Sequence, residues 1–507
     1  MARKKPFTDT RGMLTAPASG VTVRMYNPGF GDCLLLAFRA EDGSPRYLLI
    51  DCGAHHRYPD RKNRLQNIAK DIAASTSSHL HVVAATHEHT DHLDGFRLAS
   101  EIFDTIQIDD LWLAWTEDPD DPVAQELRQR YDKHIRAMFG VVNQLRAAGQ
   151  SNADSLGALM DFEYSQGPRL GAAAGDGISA PIPFLRSWSK RKLLRSQDYL
   201  RPGQPPLTLP GVKGIKIYVL GPPKTPKMLR LLERKSELYP EMAAASEADA
   251  FAAAVIAIDN PYAMNAEDKD AFENCRPFDE LYRIDLKDAP QNPDFGRFFS
   301  EYYGSSTEDK DESSWRRIDT DWLGAGENMA LSINSYTNNT SIVLAVEITE
   351  SNPRKVLLFA ADAQTGNWLS WQDLTWPGEN PGDEKITAND LLERVVLYKV
   401  GHHGSRNATL SQKGLELMDQ PDLVAMIPVD QKWAFEAMHW EHPAEKLLAR
   451  LEEKSSGRVI RTDQIPSGSE LPDHPANLPE GEWKDFLQHL DWDRSPEALW
   501  IQFTVPE

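Results

Sequence analysis

A short cluster of histidines and acidic residues constrains this chain more than any other feature. An apolar run at residues 79–85 predicts a buried strand, and the sequence Thr-His-Glu-His-Thr-Asp-His follows it directly at residues 86–92. A loop at the end of a strand can turn several side chains towards one point, and imidazole and carboxylate groups are good ligands for zinc and similar ions. The spacing therefore predicts a metal site that uses His87, His89, Asp91 and His92.

Two more carboxylates follow predicted strands. Asp51 comes directly after the run at residues 46–50, and Asp362 comes after the apolar run at residues 355–359. An aspartate in such a place is also a common turn former, because its side chain bonds readily to nearby backbone. Position alone leaves both interpretations open, and the histidine cluster favours a role for these two residues at the metal site.

A pair of adjacent histidines between glycines is the third signal. Residues 395–400 predict a strand, and His402 and His403 follow it in the sequence Gly-His-His-Gly-Ser. Glycines let the backbone approach a ligand closely. Successive side chains of an extended backbone point in opposite directions, so we expect one histidine to bind metal and the other to contact substrate. The sequence does not show which histidine has which role.

Together these motifs resemble the metallo-β-lactamase superfamily, whose members hold two metals at the edge of an αββα sandwich. The resemblance implies an α+β fold, a four-layer αββα sandwich, and a role for Asp51 in supporting the ligands by hydrogen bonds. It also implies a ligand set. His87 and His89 would bind the first metal, and Asp91, His92 and one of His402 and His403 would bind the second. Asp362 would bridge the two metals.

Four short segments narrow the resemblance to the hydrolase domain of ComEC-type DNA-uptake proteins and their soluble relatives: residues 30–35, 339–344, 400–405 and 441–443. The similarity covers about residues 20–120, 212–224 and 330–465. The chain departs from that group because the usual third histidine of the first metal site is missing. Between the motif at residues 86–92 and the histidine pair, His134 is the one histidine, and it lies on the apolar face of a predicted helix.

The domain organisation expected is a flexible leader at residues 1–19 and one hydrolase domain at residues 20–507. Large insertions are predicted at about residues 121–211, which open with a helix at 121–147, and at about 225–329. A C-terminal extension is predicted at about residues 466–507. No stretch of about 18 consecutive apolar residues occurs, so no transmembrane helix is expected. The three cysteines are odd in number, which argues against a disulfide framework and favours the cytoplasm.

The expected function is that of a metal-dependent hydrolase, with a phosphodiesterase or nuclease favoured. The metal lowers the pKa of a water molecule and polarises the phosphoryl centre, and a side chain must protonate the leaving group. Zinc is favoured by the histidines, and manganese is compatible with the carboxylates. The candidate catalytic residues are Asp91, His402, His403 and His442. The candidates for holding a substrate phosphate are Ser405, Arg406 and Asn407.

Alternative functions fit the same sequence. The net charge of −21 is compatible with a small-molecule ester, lactone or phosphoester hydrolase, and the fold does not decide among these. The missing histidine and the insertions are compatible with a degenerate scaffold that binds a protein partner. For a single-stranded nucleic acid or nucleotide, the basic stretch at residues 186–235 could form a groove in which Trp188, Tyr199 or Tyr218 stack bases, but a solvated basic face explains that stretch equally well.

Overall fold

The structure is a computed structural model that describes residues 13–147, 182, 185–186, 199–229, 231, 284, 288–303, 334–378, 380 and 382–507. The chain divides into two compact units. The first unit contains residues 1–128, 162–243 and 334–507, and the second contains residues 129–161 and 244–333. Both large sheets, and all of the predicted metal ligands apart from the candidate His134, belong to the first unit.

Seven strands form the first sheet. Their bounds are β1 Val21–Tyr26, β2 Leu34–Arg39, β3 Pro45–Ile50, β4 His79–Ala84, β5 Gln107–Trp112, β14 Leu490–Trp492 and β15 Trp500–Val505. The order across the sheet is β14-β15-β1-β2-β3-β4-β5. The β3–β4 and β4–β5 pairs are parallel, and the other pairs are antiparallel. Because β15 pairs with β1 along its whole length, the predicted C-terminal extension supplies part of the sheet.

Six strands form the second sheet. Their bounds are β6 Ile215–Gly221, β7 Val343–Ile348, β8 Lys355–Phe359, β11 Val395–Lys399, β12 Val424–Ile427 and β13 Val459–Arg461. The order is β13-β12-β11-β8-β7-β6, with parallel pairs from β13 to β8 and antiparallel pairs from β8 to β6. Two short strands, β9 Thr375–Trp376 and β10 Ile386–Thr387, pair separately.

Alternating side chains explain how the sheets pack. On β2, Leu34 and Leu36 belong to a core cluster that also contains Leu357 and Phe359 of β8, whereas Leu35 belongs to a different cluster on the other face of the first sheet. Successive side chains of a strand point to opposite faces, so each sheet buries one face against the other sheet and its outer face against helices. The first unit is therefore an α+β sandwich with helices outside two mixed sheets.

The helices cover the outer faces of the sheets. On the first sheet lie α1 Arg61–Ser75, α2 Thr90–Leu98, α3 Ser100–Phe103 and the start of α4 Pro122–Ala147. Short helix α5 is Pro226–Leu229, and α6, in the second unit, is Gly296–Tyr303. On the second sheet lie α7 Thr365–Ser370, α8 Ala388–Leu392, α9 Gln431–Met438 and α10 Glu445–Lys454. Helix α11 Glu480–Gln488 packs at the core between the sheets.

Most regular elements agree with the periodicity of the sequence. The helix predicted at residues 62–75 is α1, and its predicted apolar face, Leu65, Ile68, Ala69 and Ile72, is fully buried. Strand β5 was not predicted, because Asp109 and Asp110 interrupt its apolar pattern. Charged side chains are tolerated there because β5 is the edge strand of the first sheet, where they remain partly in water.

The structure also bears on the predicted leader and on the prediction about transmembrane helices. Within the predicted leader, Leu14 is buried, and its backbone carbonyl accepts a hydrogen bond from the Tyr47 hydroxyl at 2.8 Å. Part of the predicted flexible leader is therefore packed against the fold, while residues 1–12 lie outside the described residues. Among the helices that the structure describes, none is both long and apolar enough to cross a membrane.

Candidate metal centre

The predicted ligands and Asp51 follow the ends of four strands, two in each sheet, with Asp91 and His92 in the first turn of α2. Asp51 follows β3, residues 87–92 follow β4, Asp362 follows β8, and His402 and His403 follow β11. β3 and β4 are parallel neighbours, as are β8 and β11. The carboxyl ends of parallel strands meet at one edge of a sheet, and side-chain contacts between the loops bring the two edges together.

Four buried side chains form the first group that could hold a metal ion: Asp91, His92, Asp362 and His403. Their ligand atoms lie within 4.8 Å of one another. His92 Nε2 is 3.1 Å from Asp362 Oδ2, and His403 Nε2 is 3.0 Å from Asp91 Oδ2. Two imidazoles and two carboxylates around one point are a suitable donor set for a four-coordinate ion.

Hydrogen bonds on the far side of each ring set the tautomers of His92 and His403. His92 Nδ1 donates to Asp51 Oδ2 at 2.7 Å, and His403 Nδ1 donates to the carbonyl oxygen of Pro428 at 2.7 Å. In the neutral ring the other nitrogen, Nε2, then carries a lone pair. Each lone pair faces a carboxylate oxygen, and the two atoms repel until a proton or a metal ion lies between them. Metal-binding histidines are typically held by such a bond on the second nitrogen.

The electrostatics of this group favour a cation. Burial opposes the charged forms of His92 and His403, but the surrounding carboxylates outweigh it and raise the pKa of both rings. Burial also opposes ionisation of Asp91 and Asp362, yet the histidines lower the pKa of both carboxyl groups. The centre therefore holds ionised carboxylates in a buried place, where they stabilise positive charge.

Several polar atoms of the group are buried without a hydrogen bond. Within the described part of the chain, both carboxylate oxygens of Asp362, Oδ1 of Asp91 and Nε2 of His92 are buried and have no hydrogen-bond partner. An unsatisfied buried polar group costs about 1–3 kcal/mol. Coordination of a metal ion would satisfy such atoms, so the residues present fit a bound ion.

A second group consists of His87, His89 and Asp362, all buried. His87 Nε2 is 2.9 Å from His89 Nδ1 and 3.9 Å from Asp362 Oδ2. Burial, assisted by the nearby His92, lowers the pKa of His87 well below its usual range and favours the neutral ring that binds metal. Asp362 belongs to both groups, as a bridging carboxylate must. His134 belongs to no metal-capable group of the described residues.

Unusual backbone conformations hold the site residues in place. The backbone is left-handed at four residues of the site, with φ between 46° and 56°: Asp51, Ala361, His402 and His403. Residues other than glycine rarely adopt this conformation. Such conformations cost on the order of 1–3 kcal/mol each, persist only where the surroundings enforce them, and cluster at functional sites. Four of them lie beside one group of ligands, which makes this edge of the sandwich the candidate site.

The structure distinguishes the two adjacent histidines. The prediction of an extended backbone is wrong here, because both residues are left-handed within the tight turn Gly401–Gly404. His403 is fully buried in the four-residue group. The side chain of His402 is 15% exposed, its Nε2 lies 3.7 Å from Asp362 Oδ2, and burial lowers its pKa to about 4. His403 is thus the better-placed metal ligand, and His402 lies at the rim of the centre.

The three residues predicted to hold a substrate phosphate differ in their surroundings. Ser405 is buried, lies 3.1 Å from His402 Nδ1 through its hydroxyl, and donates to Asn407 Oδ1 at 2.9 Å. Ser405 and Asn407 therefore help to orient His402. Arg406 is exposed at the same loop, so its cation can meet a ligand from solvent.

Aromatic rings flank the centre on one side. The ring of His442 lies 5.6 Å from that of His402, and its Nδ1 is a buried atom without a hydrogen-bond partner among the described residues. Phe30 packs against Trp433 and Trp440 with ring centroids 5.4 and 5.8 Å apart. Both tryptophans are partly exposed, so this aromatic wall extends from the core to the surface.

Two buried charged residues at the site were not predicted. Lys399, the last residue of β11, forms a buried ion pair with Asp32, and its Nζ lies 4.0 Å from Asp362 Oδ1. Each had a signal in the sequence. Lys399 interrupts an apolar strand, where a charge is expensive unless it is paired. Asp32 lies in the segment 30–35 on which the resemblance partly depends.

A separate cluster lies at the opposite end of β4, where His79, His81 and Asp109 also have ligand atoms within 4.8 Å. His81 Nδ1 accepts the backbone N–H of Tyr47 at 3.1 Å, so the lone pair of the neutral ring is already used. His79 Nε2 and Asp109 Oδ2 lie 2.6 Å apart, with side chains 37% and 34% exposed. This cluster is a partly exposed hydrogen-bonded pair beside a stacked histidine, and its chemistry does not favour a metal ion.

The aromatic residues suggested for base stacking are not placed for it. Tyr199 and Tyr218 are buried, and the Tyr218 hydroxyl donates to Glu347 at 2.9 Å. That suggestion is wrong for both tyrosines, because folding uses their rings in the core. Trp188 lies outside the described residues, as do most of the predicted basic stretch before residue 199 and most of the predicted insertion at 225–329.

No family model, no curated protein and no solved structure matches this chain. The resemblance to the metallo-β-lactamase superfamily is therefore a prediction from motifs, and the case for a function depends on the geometry of the centre.

Proposed function

We propose that this protein is a metal-dependent hydrolase of the metallo-β-lactamase type that cleaves phosphodiesters. The observation that carries the proposal is the position of Asp362, a single buried carboxylate that belongs to two adjacent groups of metal-capable side chains. Two ions that share one carboxylate are the arrangement expected for hydrolysis by this superfamily. The layering of helix, sheet, sheet and helix, with the centre at the carboxyl ends of strands, supports the same assignment.

Each donor group would have a separate task. Asp91, His92, His403 and Asp362 would hold one ion, and His87, His89 and Asp362 the other. A bound metal pair lowers the pKa of water and stabilises negative charge on a phosphoryl group. The hydrogen bonds of His92 and His403 through Nδ1 fix their tautomers, so that both lone pairs would be available to the ion of the four-residue group without rearrangement.

Residues at the rim would bind the substrate. His402 is partly exposed beside Asp362, where its Nε2 can form a hydrogen bond with a substrate. Arg406 is exposed in the same loop and can pair with a phosphate. Trp433 and Trp440 offer partly exposed rings next to the centre, and stacking on such rings is typical of proteins that bind single-stranded nucleic acid or nucleotides. These contacts favour a phosphodiester that carries a planar base.

Zinc is the metal that we propose for the centre. The donor sets contain four histidines among six ligands, and imidazole suits zinc, whereas carboxylate-rich sites suit manganese or magnesium. Manganese is the second choice, because Asp91 and Asp362 supply oxygen ligands to the first group. The compartment proposed is the cytoplasm, where few proteins depend on disulfides.

The test is hydrolysis of bis(p-nitrophenyl) phosphate by purified protein with added zinc or manganese. Asp91→Ala and Asp362→Ala should each abolish turnover, and both show whether a contaminating enzyme is responsible. Asp109→Asn is the matched control, because it changes an aspartate in the histidine cluster at the other end of β4 and should leave turnover unchanged. A folded, zinc-loaded wild type without turnover on this ester or on short single-stranded DNA would overturn the phosphodiesterase proposal.

A further inference from the structure

We propose that Asp32 and Lys399 are a positioning pair that orients the carboxylate of Asp362 towards both groups of metal ligands. The inference rests on the metal centre of the proposed function and deepens it. Both residues are buried, and Asp32 also belongs with Asp51 and His92 to a separate group of metal-capable side chains. Neither residue belongs to the two donor groups that share Asp362, so the effect of the pair would be exerted through Asp362 and the neighbouring histidines.

Lys399 holds Asp362 from one side. Its side chain is 1% exposed, and its ammonium contacts Asp32 Oδ2, donates to the carbonyl oxygen of Ala361 at 3.2 Å, and lies 4.0 Å from Asp362 Oδ1. Ala361 is one of the residues with left-handed backbone, and it directly precedes Asp362. The ammonium therefore stabilises the strained turn and attracts one of the two oxygens of the bridging carboxylate.

The other oxygen of Asp362 is consequently turned towards the histidines. Asp362 Oδ2 lies 3.1 Å from His92 Nε2, 3.9 Å from His87 Nε2 and 3.7 Å from His402 Nε2. One oxygen thus faces a histidine of each donor group as well as the histidine at the rim. A carboxylate that rotated freely would not keep this orientation, since it could direct either oxygen or its edge at any one ring.

Asp32 links the same pair to the other loops. Its backbone N–H donates to the carbonyl oxygen of Asp91 at 2.9 Å, and its own carbonyl accepts from Gly53 N–H at 3.0 Å. A Cβ at Gly53 would lie 2.3 Å from the backbone carbon of Asp91, so this loop needs glycine for the close approach. The carboxylate of Asp32 lies 3.7 Å from His403 Nδ1 and 3.9 Å from His92 Nδ1.

The charges of the pair have a consequence for the choice of variant. Removing Lys399 alone would leave Asp32 as a buried carboxylate without its partner, and such a protein could fail to fold for that reason. The double variant Asp32→Asn with Lys399→Met removes one negative and one positive charge, so the net charge of the site does not change. It removes the orienting ammonium and keeps every predicted metal ligand.

The experiment measures zinc affinity by competition with a chromogenic chelator, zinc content by mass spectrometry, and thermal unfolding with and without chelator. We expect the double variant to fold and to bind zinc about 10–100-fold more weakly than wild type, as loss of outer-sphere partners typically does. We also expect its kcat to fall more than its KM changes. The single variant Lys399→Arg keeps the charge, but its planar guanidinium does not reproduce the compact ammonium of lysine. We therefore expect its zinc affinity to lie between those of the double variant and the wild type.

The matched control is the buried ion pair of Arg24 and Asp71, which are 2.9 Å apart with side chains 6% and 2% exposed. The double variant Arg24→Met with Asp71→Asn should lower the unfolding temperature and leave zinc affinity unchanged. If the Asp32 and Lys399 double variant also keeps wild-type zinc affinity and kcat, the positioning role is wrong and the pair is only structural. If wild type itself binds no zinc, the proposed function fails, which is a different result.

Discussion

Strand β4 carries a cluster of histidine and aspartate at each of its ends, and only one of the two suits a metal ion. At the carboxyl end, His92 and His403 donate through Nδ1 to Asp51 and Pro428, and their Nε2 atoms face carboxylates. At the amino end, His81 accepts a backbone N–H through Nδ1 and leaves no free lone pair in its neutral form. The two clusters contain the same residue types at similar distances. They differ in the hydrogen bond at histidine Nδ1, which is a donor at the carboxyl end and an acceptor at the amino end.

Burial separates the two ends as well. The ligands at the carboxyl end are almost completely buried, whereas His79 and Asp109 are more than one third and about one third exposed. Water screens the exposed pair, so it contributes at most about 1 kcal/mol to stability. In the buried centre the same kinds of group shift the pKa of one another strongly, because burial removes them from the bulk solvent that would screen their interaction. The comparison shows that a metal site depends on tautomer and burial as much as on composition.

The largest expected difference between the two ends concerns their aspartates. Asp362→Asn should lower zinc affinity by more than about a hundredfold, beyond the range seen for outer-sphere partners, because it removes the carboxylate that both groups share. Asp109→Asn should leave zinc affinity unchanged. Both substitutions keep side-chain volume. Calorimetric titration with zinc measures the affinities, and equal effects of the two variants would contradict the distinction between the ends.

A second comparison concerns the adjacent histidines at the carboxyl end. His403→Gln should lower zinc affinity by roughly a hundredfold, since it removes a ligand that Pro428 holds in position. His402→Gln should keep most of that affinity and lower kcat by about 10²–10⁴-fold, the range for loss of a group that transfers protons. Metal content and steady-state kinetics measured on the same samples separate the two. Loss of zinc in the His402 variant, with retention in the His403 variant, would reverse the assignment.

A third test weakens the carboxyl end without touching a ligand of the four-residue group. Asp51 accepts from His92 Nδ1 at 2.7 Å and from the hydroxyl and the backbone N–H of Thr86 at 2.6 and 2.8 Å. Asp51→Asn should reduce zinc affinity about 10–100-fold, because an amide holds the imidazole tautomer less firmly than a carboxylate. Competition with a chelator gives the value. An unchanged affinity would show that Asp51 serves the turn and not the metal.

The smallest effect is expected at the amino end. His81→Phe removes the acceptor for the Tyr47 N–H, and loss of one hydrogen bond costs about 1 kcal/mol. Denaturant unfolding should detect this change, while zinc affinity and turnover should match wild type. A loss of zinc in this variant would show that the amino end binds metal after all.

Sequence reasoning located the loops of the centre better than it located their roles. The residues after β4 were identified because their ligand-type side chains at a strand end are visible as a pattern, and Asp51 and Asp362 because they follow strands and match the family resemblance. Lys399 and Asp32 were missed, because the pairing of a lysine in β11 with an aspartate near β2 depends on contacts between the two sheets. The orientation of the adjacent histidines was also missed, since two consecutive left-handed residues do not follow from local propensity.

The sequence by itself determined most of the strands, the helix α1 and the set of residue types at the carboxyl end of β4. Alternation and helical spacing are local properties, and they are sufficient for these elements. Only the tertiary structure decided that His403 is directed into the four-residue group, that Asp362 belongs to both donor groups, and that the cluster at the other end of β4 does not suit metal. Those outcomes depend on which distant atom contacts the second nitrogen of an imidazole ring or the second oxygen of a carboxylate. Such contacts form only when the two sheets pack together.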